Sequence, residues 1–342
     1  MLFHGEEWNS DFRFYAKYSF SRSYCRTPRK KKSVFAQNFD KLYEDERCDL
    51  PTNEDGHKQL MYDAVMVALS KAKKDVEKID FFLTGDLVNQ MTPSNFTAQA
   101  LGIPYLGLFS ACATSVSSMI TAALLAEANQ AKWLIAGSSS QHNAVERQFR
   151  YPLEYGTQKA ATAQWTVTAA GAVLIGQNKP GTPSISCATV GKVVDMGMTD
   201  PLNMGAAMAP AAMSTLSSHL TGHGKTVDDY DTIITGDLGS SGFKLLKALA
   251  NEQGLPHTKN FRDAGEEFYG KDPSFFAGAS GAGCSAAVFF SDVYQKLQKG
   301  EYQRVLLIAT GALLSPLSFQ QGDTIPCIAH AIEISINEVG RI

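Results

Sequence analysis

The chain of 342 residues has no run of 18 apolar residues, so it offers no membrane-spanning helix. No apolar core follows a basic start at the N-terminus, so no signal peptide is expected. Closely spaced cysteines are missing as well. Cys25, Cys48, Cys112, Cys187, Cys284 and Cys327 are scattered with no CxxC pair. They read as free thiols of a reducing compartment, with neither a disulfide framework nor a metal-ligand set. An excess of one charge is also absent. Lys and Arg total 31 against 34 Asp and Glu, a formal charge of -3, which argues against a general nucleic-acid binder. Apolar residues make up 44%, enough for a substantial core. The expectation is a cytoplasmic protein, with no metal and no cofactor.

What is present is a repeat. Ile79-Asp-Phe-Phe-Leu-Thr-Gly-Asp86-Leu87 is matched by Tyr230-Asp-Thr-Ile-Ile-Thr-Gly-Asp237-Leu238, at an offset of 151. Each is a short apolar run ending in Gly-Asp, as expected of a buried strand leaving a sheet. Helical stretches precede both, over about 57–73 and 205–220 by the spacing of their apolar residues. A second block also recurs. Ser110-Ala-Cys112-Ala-Thr-Ser115 opens an Ala-rich helical run and then a strand from Lys132. Ala282-Gly-Cys284-Ser-Ala-Ala287 does the same before a strand from Arg304, again 20 residues beyond its cysteine. The order helix–strand–helix–strand in each half implies α/β layers with sheets covered on both faces. Symmetry predicts that the helices after Cys112 and Cys284 lie side by side. The stretch from Gly311 to Ile334 reads as a closing hairpin.

The opening differs from the rest. Residues 12–36 hold eight Lys or Arg, seven aromatics and no acid. Three divisions follow: a basic-aromatic arm over 1–36, expected to be poorly ordered, and halves over 37–183 and 184–342.

Cys112 lies between the strand-like Tyr105–Phe109 and a helix start. Amides at a helix N-terminus lower a thiol's pKa and hold anions, so Cys112 is a candidate nucleophile. Spacing alone leaves it equally readable as a small packing residue. Cys284, among Gly and Ser, reads as packing.

These features resemble the thiolase-like condensing enzymes. A narrower likeness is to a family of stage V sporulation proteins of spore-forming bacteria. It is carried by Leu83–Gln90, Gln141–Pro152, Val190–Asp195, Met208–Ala212, Thr310–Pro316 and Ile325–His330. The resemblance spans about 38–336, and the family's first strand is not found in residues 1–36. It implies an α/β, thiolase-like fold of duplicated halves in five layers, αβαβα. It also implies a homodimer in which the strand carrying Trp133 to Gly137 meets its copy. Condensing enzymes pair the cysteine with two further His or Asn groups. Here the second-half positions read Thr235-Gly-Asp237 and Phe276–Cys284, without His. An acid beside the thiol raises its pKa and cannot donate to an oxyanion while ionised. His330 and His142 remain as candidate partners, though neither lies on the expected motif.

The narrower likeness therefore implies a binder of dipicolinic acid (pyridine-2,6-dicarboxylate) or its calcium chelate, for uptake into the developing spore. Membrane proteins of the same system would be partners, and the location would be peripheral to the spore inner membrane. A planar dianion suits helix-terminal amides, Arg forks and an apolar wall. The candidate ligand residues are Asp86, Cys112, His142, Arg147, Gln148, Arg150, Asp237 and His330. The competing readings are an acyltransferase or 3-ketoacyl synthase with Cys112 as nucleophile and His330 as its partner, and a structural subunit with a vestigial pocket.

Overall fold

A computed structural model describes residues 12–21, 33–148, 159–177, 181–255 and 258–336, with the backbone alone for 12–21 and for 177. Seven strands belong to the first part of the chain: β1 (Phe12–Ser21), β2 (Leu42–Tyr43), β3 (Phe81–Thr84), β4 (Tyr105–Gly107), β5 (Trp133–Ser140), β6 (Trp165–Thr166) and β7 (Ala169–Gln177). Six follow: β8 (Pro183–Val190), β9 (Thr232–Thr235), β10 (Phe261–Asp263), β11 (Ala279–Ser280), β12 (Arg304–Ala312) and β13 (Cys327–Ile336). The first sheet runs β2-β1-β7-β5-β3-β4 and the second β10-β9-β12-β13-β8, while β6 and β11 pair with each other.

The duplication is visible in the pairing itself. Starting at β1, the first sheet pairs antiparallel, antiparallel, parallel, parallel across β7, β5, β3 and β4. Starting at β8, the second sheet pairs in the same sequence across β13, β12, β9 and β10. The counterpart of β8 is therefore β1, which lies in the segment read from sequence as a poorly ordered arm. That reading is corrected for residues 12–21. They form the strand that was not found, in register with β7 from Phe12 opposite Gln177 to Phe20 opposite Ala169. The aromatic run without Gly or Pro suits a strand, and its basic charge hid it. The rest of 1–32 lies outside the described residues.

The α-helices up to Val288 are α1 (Asn53–Ala72), α2 (Thr92–Leu101), α3 (Thr114–Glu127), α4 (His142–Glu146), α5 (Met204–Gly222), α6 (Gly239–Glu252), α7 (Ala264–Glu267) and α8 (Ala282–Val288). Helix α1 packs on β1, β5 and β7, and α5 packs on β8, β12 and β13. Between the sheets, α3 touches β3, β5 and β7 on one side and β12, β13 and β8 on the other. Helix α8 lies beside it against β5 and β7. The five layers αβαβα follow. No helix among the described residues is long and apolar enough to cross a membrane.

A central helix has no polar face, and its sequence reflects that. All seven residues of α8 are buried, and α3 buries Ser115, Val116, Ser118, Met119, Ile120, Ala122 and Ala123. Small side chains let these backbones approach. Ser115 Oγ lies 2.7 Å from Ser285 Oγ, joining the two helices as symmetry predicts. A Cβ on Gly283 would stand 2.2 Å from the Ala169 carbonyl oxygen.

Strand β5 lies inside its sheet, bonded to β3 and β7. Trp133–Gly137 therefore has no free edge to offer a copy, which corrects the expectation of a dimer through that strand. The outer edge of the sheet is β4.

Gly311 presses β12 against the turn that carries Cys112. A Cβ there would lie 2.4 Å from the Ser110 carbonyl oxygen and 3.1 Å from Ala111 Cβ. Gly311→Val is expected to destabilise the fold by about 1–3 kcal/mol, read from the urea midpoint. An unchanged midpoint would show that this contact relaxes freely.

Candidate functional site

Cys112 sits on a tight turn between β4 and α3. Ala111 has φ 48°, a left-handed conformation that costs a non-glycine residue energy. The turn is closed by the Ala113 amide donating to Ser110 O at 2.9 Å, the Thr114 amide to Ala111 O at 3.3 Å, and Thr114 Oγ1 to Ala111 O at 2.6 Å. The first amides of α3 are thus spent on the turn's own carbonyls. The Gly281 amide lies near the half-buried Cys112 but donates to Asp237.

The second half supplies an acid to this thiol. Asp237, directly after β9, is fully buried and faces the Cys112 thiol. Its Oδ1 accepts from Thr310 Oγ1 at 2.8 Å and its Oδ2 from the Gly281 amide at 2.9 Å. Burial, then the neighbouring carboxylate, pushes the thiol well above its ordinary range. Burial and the facing carboxylate thus work against the thiolate that a helix terminus would favour. Burial in turn raises Asp237 to about 6.

A second carboxylate lies behind the first. Asp263 ends β10 and caps α7. Its Oδ2 accepts from Thr235 Oγ1 at 2.7 Å and the Leu238 amide at 2.8 Å, and its Oδ1 from the amides of Gly239 and Glu266, both at 2.8 Å. Burial first, with Asp237 adding repulsion, raises it to about 7. Gln164 Nε2 donates to the carbonyls of Asp237 at 2.6 Å and Ala279 at 2.8 Å. Sequence reasoning missed both residues. Asp263-Ala-Gly-Glu266 carries the spacing of a helix cap and was legible as one. Gln164 carries no local signal. Cys284 is fully buried at the start of α8, as a packing residue.

The other predicted residues do not gather at Cys112. Asp86 holds its own loop, accepting from the amides of Val88 at 2.8 Å and Ser94 at 2.9 Å and from Ser94 Oγ at 2.5 Å. Gln148 pins the same loop, donating to Leu87 O at 2.9 Å and accepting from the Asn89 amide at 3.2 Å. His142 stacks on Trp165 with ring centres 4.4 Å apart and donates through Nδ1 to Thr166 O at 2.9 Å. Arg147 pairs with Glu54 of α1. Arg150 lies outside the described residues. His330 is buried on β13, and its Nδ1 accepts from the Gly191 amide at 3.2 Å. Burial lowers its pKa to about 4, so the ring is neutral with its proton on Nε2. Of the eight, the structure joins Cys112 to Asp237, and Asp86 to Gln148 through one loop. No histidine is among the described partners of Cys112.

Comparison with known proteins follows this geometry. The sequence pattern of the stage V sporulation protein AD family matches residues 17–335. A Bacillus subtilis (strain 168) protein named stage V sporulation protein AD is 46% identical over 305 residues, covering 89% of this chain and 90% of that one. Among solved structures, human mitochondrial 3-ketoacyl-CoA thiolase is similar with a TM-score of 0.59 at 12% identity, over 96% of this chain and 99% of that one. The 3-oxoacyl-[acyl-carrier-protein] synthase III of Aquifex aeolicus VF5 gives 0.56 at 13% identity, over 82% and 84%. At such identities these structures show the fold alone.

The acid pair carries a pH signature. Folding raises Asp237 from 3.8 to about 6, so the folded state binds this proton more tightly than the unfolded chain. The stability it contributes is full below about pH 4 and is lost as pH rises through about 6. Asp237→Asn is therefore expected to gain on the wild type between pH 4 and pH 7, measured as the difference in urea midpoints. A difference that stays constant would mean that the carboxyl does not titrate in this range.

Proposed function

The chain belongs to the stage V sporulation protein AD family, and on that footing we propose that this sporulation protein binds dipicolinic acid for its uptake into the developing spore. The observation that carries the choice of binding over catalysis is Asp237 at Cys112. A condensing enzyme needs a thiolate and a donor for the developing oxyanion. Here burial and a facing acid both favour the neutral thiol. A thiolase-like fold without an activated nucleophile is suited to holding a ligand.

Charge limits how the ligand is held. Asp86 and Asp237 spend their carboxylate oxygens on internal donors. If calcium accompanies the ligand, it is carried on the dipicolinate carboxylates and not on these residues. Arg147 lies within the Gln141–Gln148 segment, and its partner Glu54 is partly exposed. An exposed pair is worth no more than about 1 kcal/mol, so exchanging Glu54 for a ligand carboxylate costs little. In this reading the protein acts as a homodimer, together with other stage V sporulation A-type membrane proteins, as a peripheral component at the spore inner membrane. The dimer uses the edge of β4, where Leu106 is 40% exposed.

Two experiments test this reading. Calorimetric titration of the full chain with dipicolinate, with and without calcium, is expected to give saturable binding, with acetyl-CoA silent. Cys112→Ala should retain that binding, and Arg147→Ala should weaken it about tenfold or more, as loss of a charge-assisted pair does. Acylation of Cys112 by an acyl-CoA, detected by mass spectrometry, would instead make the protein an acyltransferase. For the dimer, Leu106→Arg should convert it to monomer in light scattering with an unchanged circular dichroism spectrum. A monomeric wild type would refute the dimer.

A further inference from the structure

On the outer side of the second sheet, away from Cys112, the fold assembles a cluster that has no motif in the sequence. Helix α5 ends with His219 in its last turn and His223 as its C-cap, four residues apart and so on one face. Strand β8 packs beside them and presents Cys187. One ligand atom from each of these three residues lies within 4.8 Å of the others. Cys187 Sγ is 4.0 Å from His219 Nε2. Cys187 and His219 are buried, and His223 is half-buried.

The surroundings prepare the first histidine. Thr189, two residues beyond Cys187 and on the same face of β8, places Oγ1 2.9 Å from His219 Nδ1. Without metal, Nε2–H donates to the Tyr230 oxygen, whose own proton goes to Glu333; binding an ion takes the other tautomer, in which Nδ1–H donates to Thr189 and the Nε2 lone pair faces the ion. Metal-binding histidines are held in this way through their second nitrogen. Tyr230 OH lies 3.0 Å from Nε2 and donates to Glu333 Oε2 at 2.9 Å. Glu333 is held by Lys225 and Arg304, which keeps it from acting as a ligand. The C-terminus of α5 adds the partial negative charge that favours a cation.

We propose that Cys187, His219 and His223 bind a divalent transition metal of the zinc class, with water in the fourth position. Zinc ligands at about 2.0–2.3 Å from the ion stand about 3.3–3.6 Å from one another, so small side-chain rotations close the site. Binding forms one Zn–S and two Zn–N bonds. The Cys187 thiol proton leaves to solvent, and no electron is transferred. The metal ties the edge strand β8 to α5.

The test uses the full chain, stripped with a chelator and free of dipicolinate, which chelates metals itself. Zinc is expected to raise the melting temperature and to release a proton. Cobalt(II) should give a sulfur-to-metal charge-transfer band. Cys187→Ser should abolish the band, and His223→Gln, at a half-buried position, should weaken uptake at least as much as a lost supporting contact. Thr189→Val should weaken it about 10–100-fold. Circular dichroism checks that each variant folds, and His223→Gln carries the test if Cys187→Ser does not. No uptake by the wild type, a band that persists in Cys187→Ser, or full affinity in His223→Gln would overturn the site and leave the three residues as a hydrogen-bonded cluster.

Discussion

The close approach of two central helices between two sheets is the constraint on which everything else rests. Helix α8 is buried throughout and α3 along most of its surface, so each is covered by a sheet on one flank and by its symmetry mate on another. Such packing leaves no room for large side chains along the contact. It explains the Ala, Gly and Ser content after Cys112 and Cys284, the Ser115–Ser285 bond, and the glycines of β12 and α8 that meet backbone directly. The same approach brings the turn at Cys112 to the ends of β9 and β12. The site between the halves is therefore a consequence of the packing.

What that site can do is decided by one carboxylate. The helix-terminal setting of Cys112 favours a thiolate, but the leading amides of α3 close their own turn and a buried acid faces the sulfur. In a low-dielectric interior, burial and like charge both favour the neutral thiol. Asp237 and Asp263 are themselves raised by burial, despite the amides and hydroxyls that solvate them. The result is a hydrogen-bonded network of two buried acids beside a neutral thiol.

The fold was largely legible, and the reasons are local. The repeat of Thr-Gly-Asp-Leu marked β3 and β9, and the Ala-rich runs marked the central helices, because buried strands and buried helices need those compositions. The first strand was not legible, because its basic aromatic residues read as an arm, while its place is set by pairing with β7. The interior position of β5 was not legible for a similar reason: no feature of Trp133–Gly137 shows that both of its edges are taken. Of the candidate site residues, Cys112 and Asp237 meet. Asp86 and Gln148 hold a loop, and His330 turns to a backbone amide.

By itself, then, the sequence determined the duplicated α/β architecture and the lack of a histidine in the two second-half segments Thr235–Asp237 and Phe276–Cys284, since both are written in short contiguous segments. The tertiary structure alone decided the protonation of Cys112, the roles of Asp263 and Gln164, and the meeting of Cys187 with His219 and His223. Each of these depends on burial and on contacts between residues tens to more than a hundred positions apart. Distances of that kind are set by packing, and no local pattern encodes them.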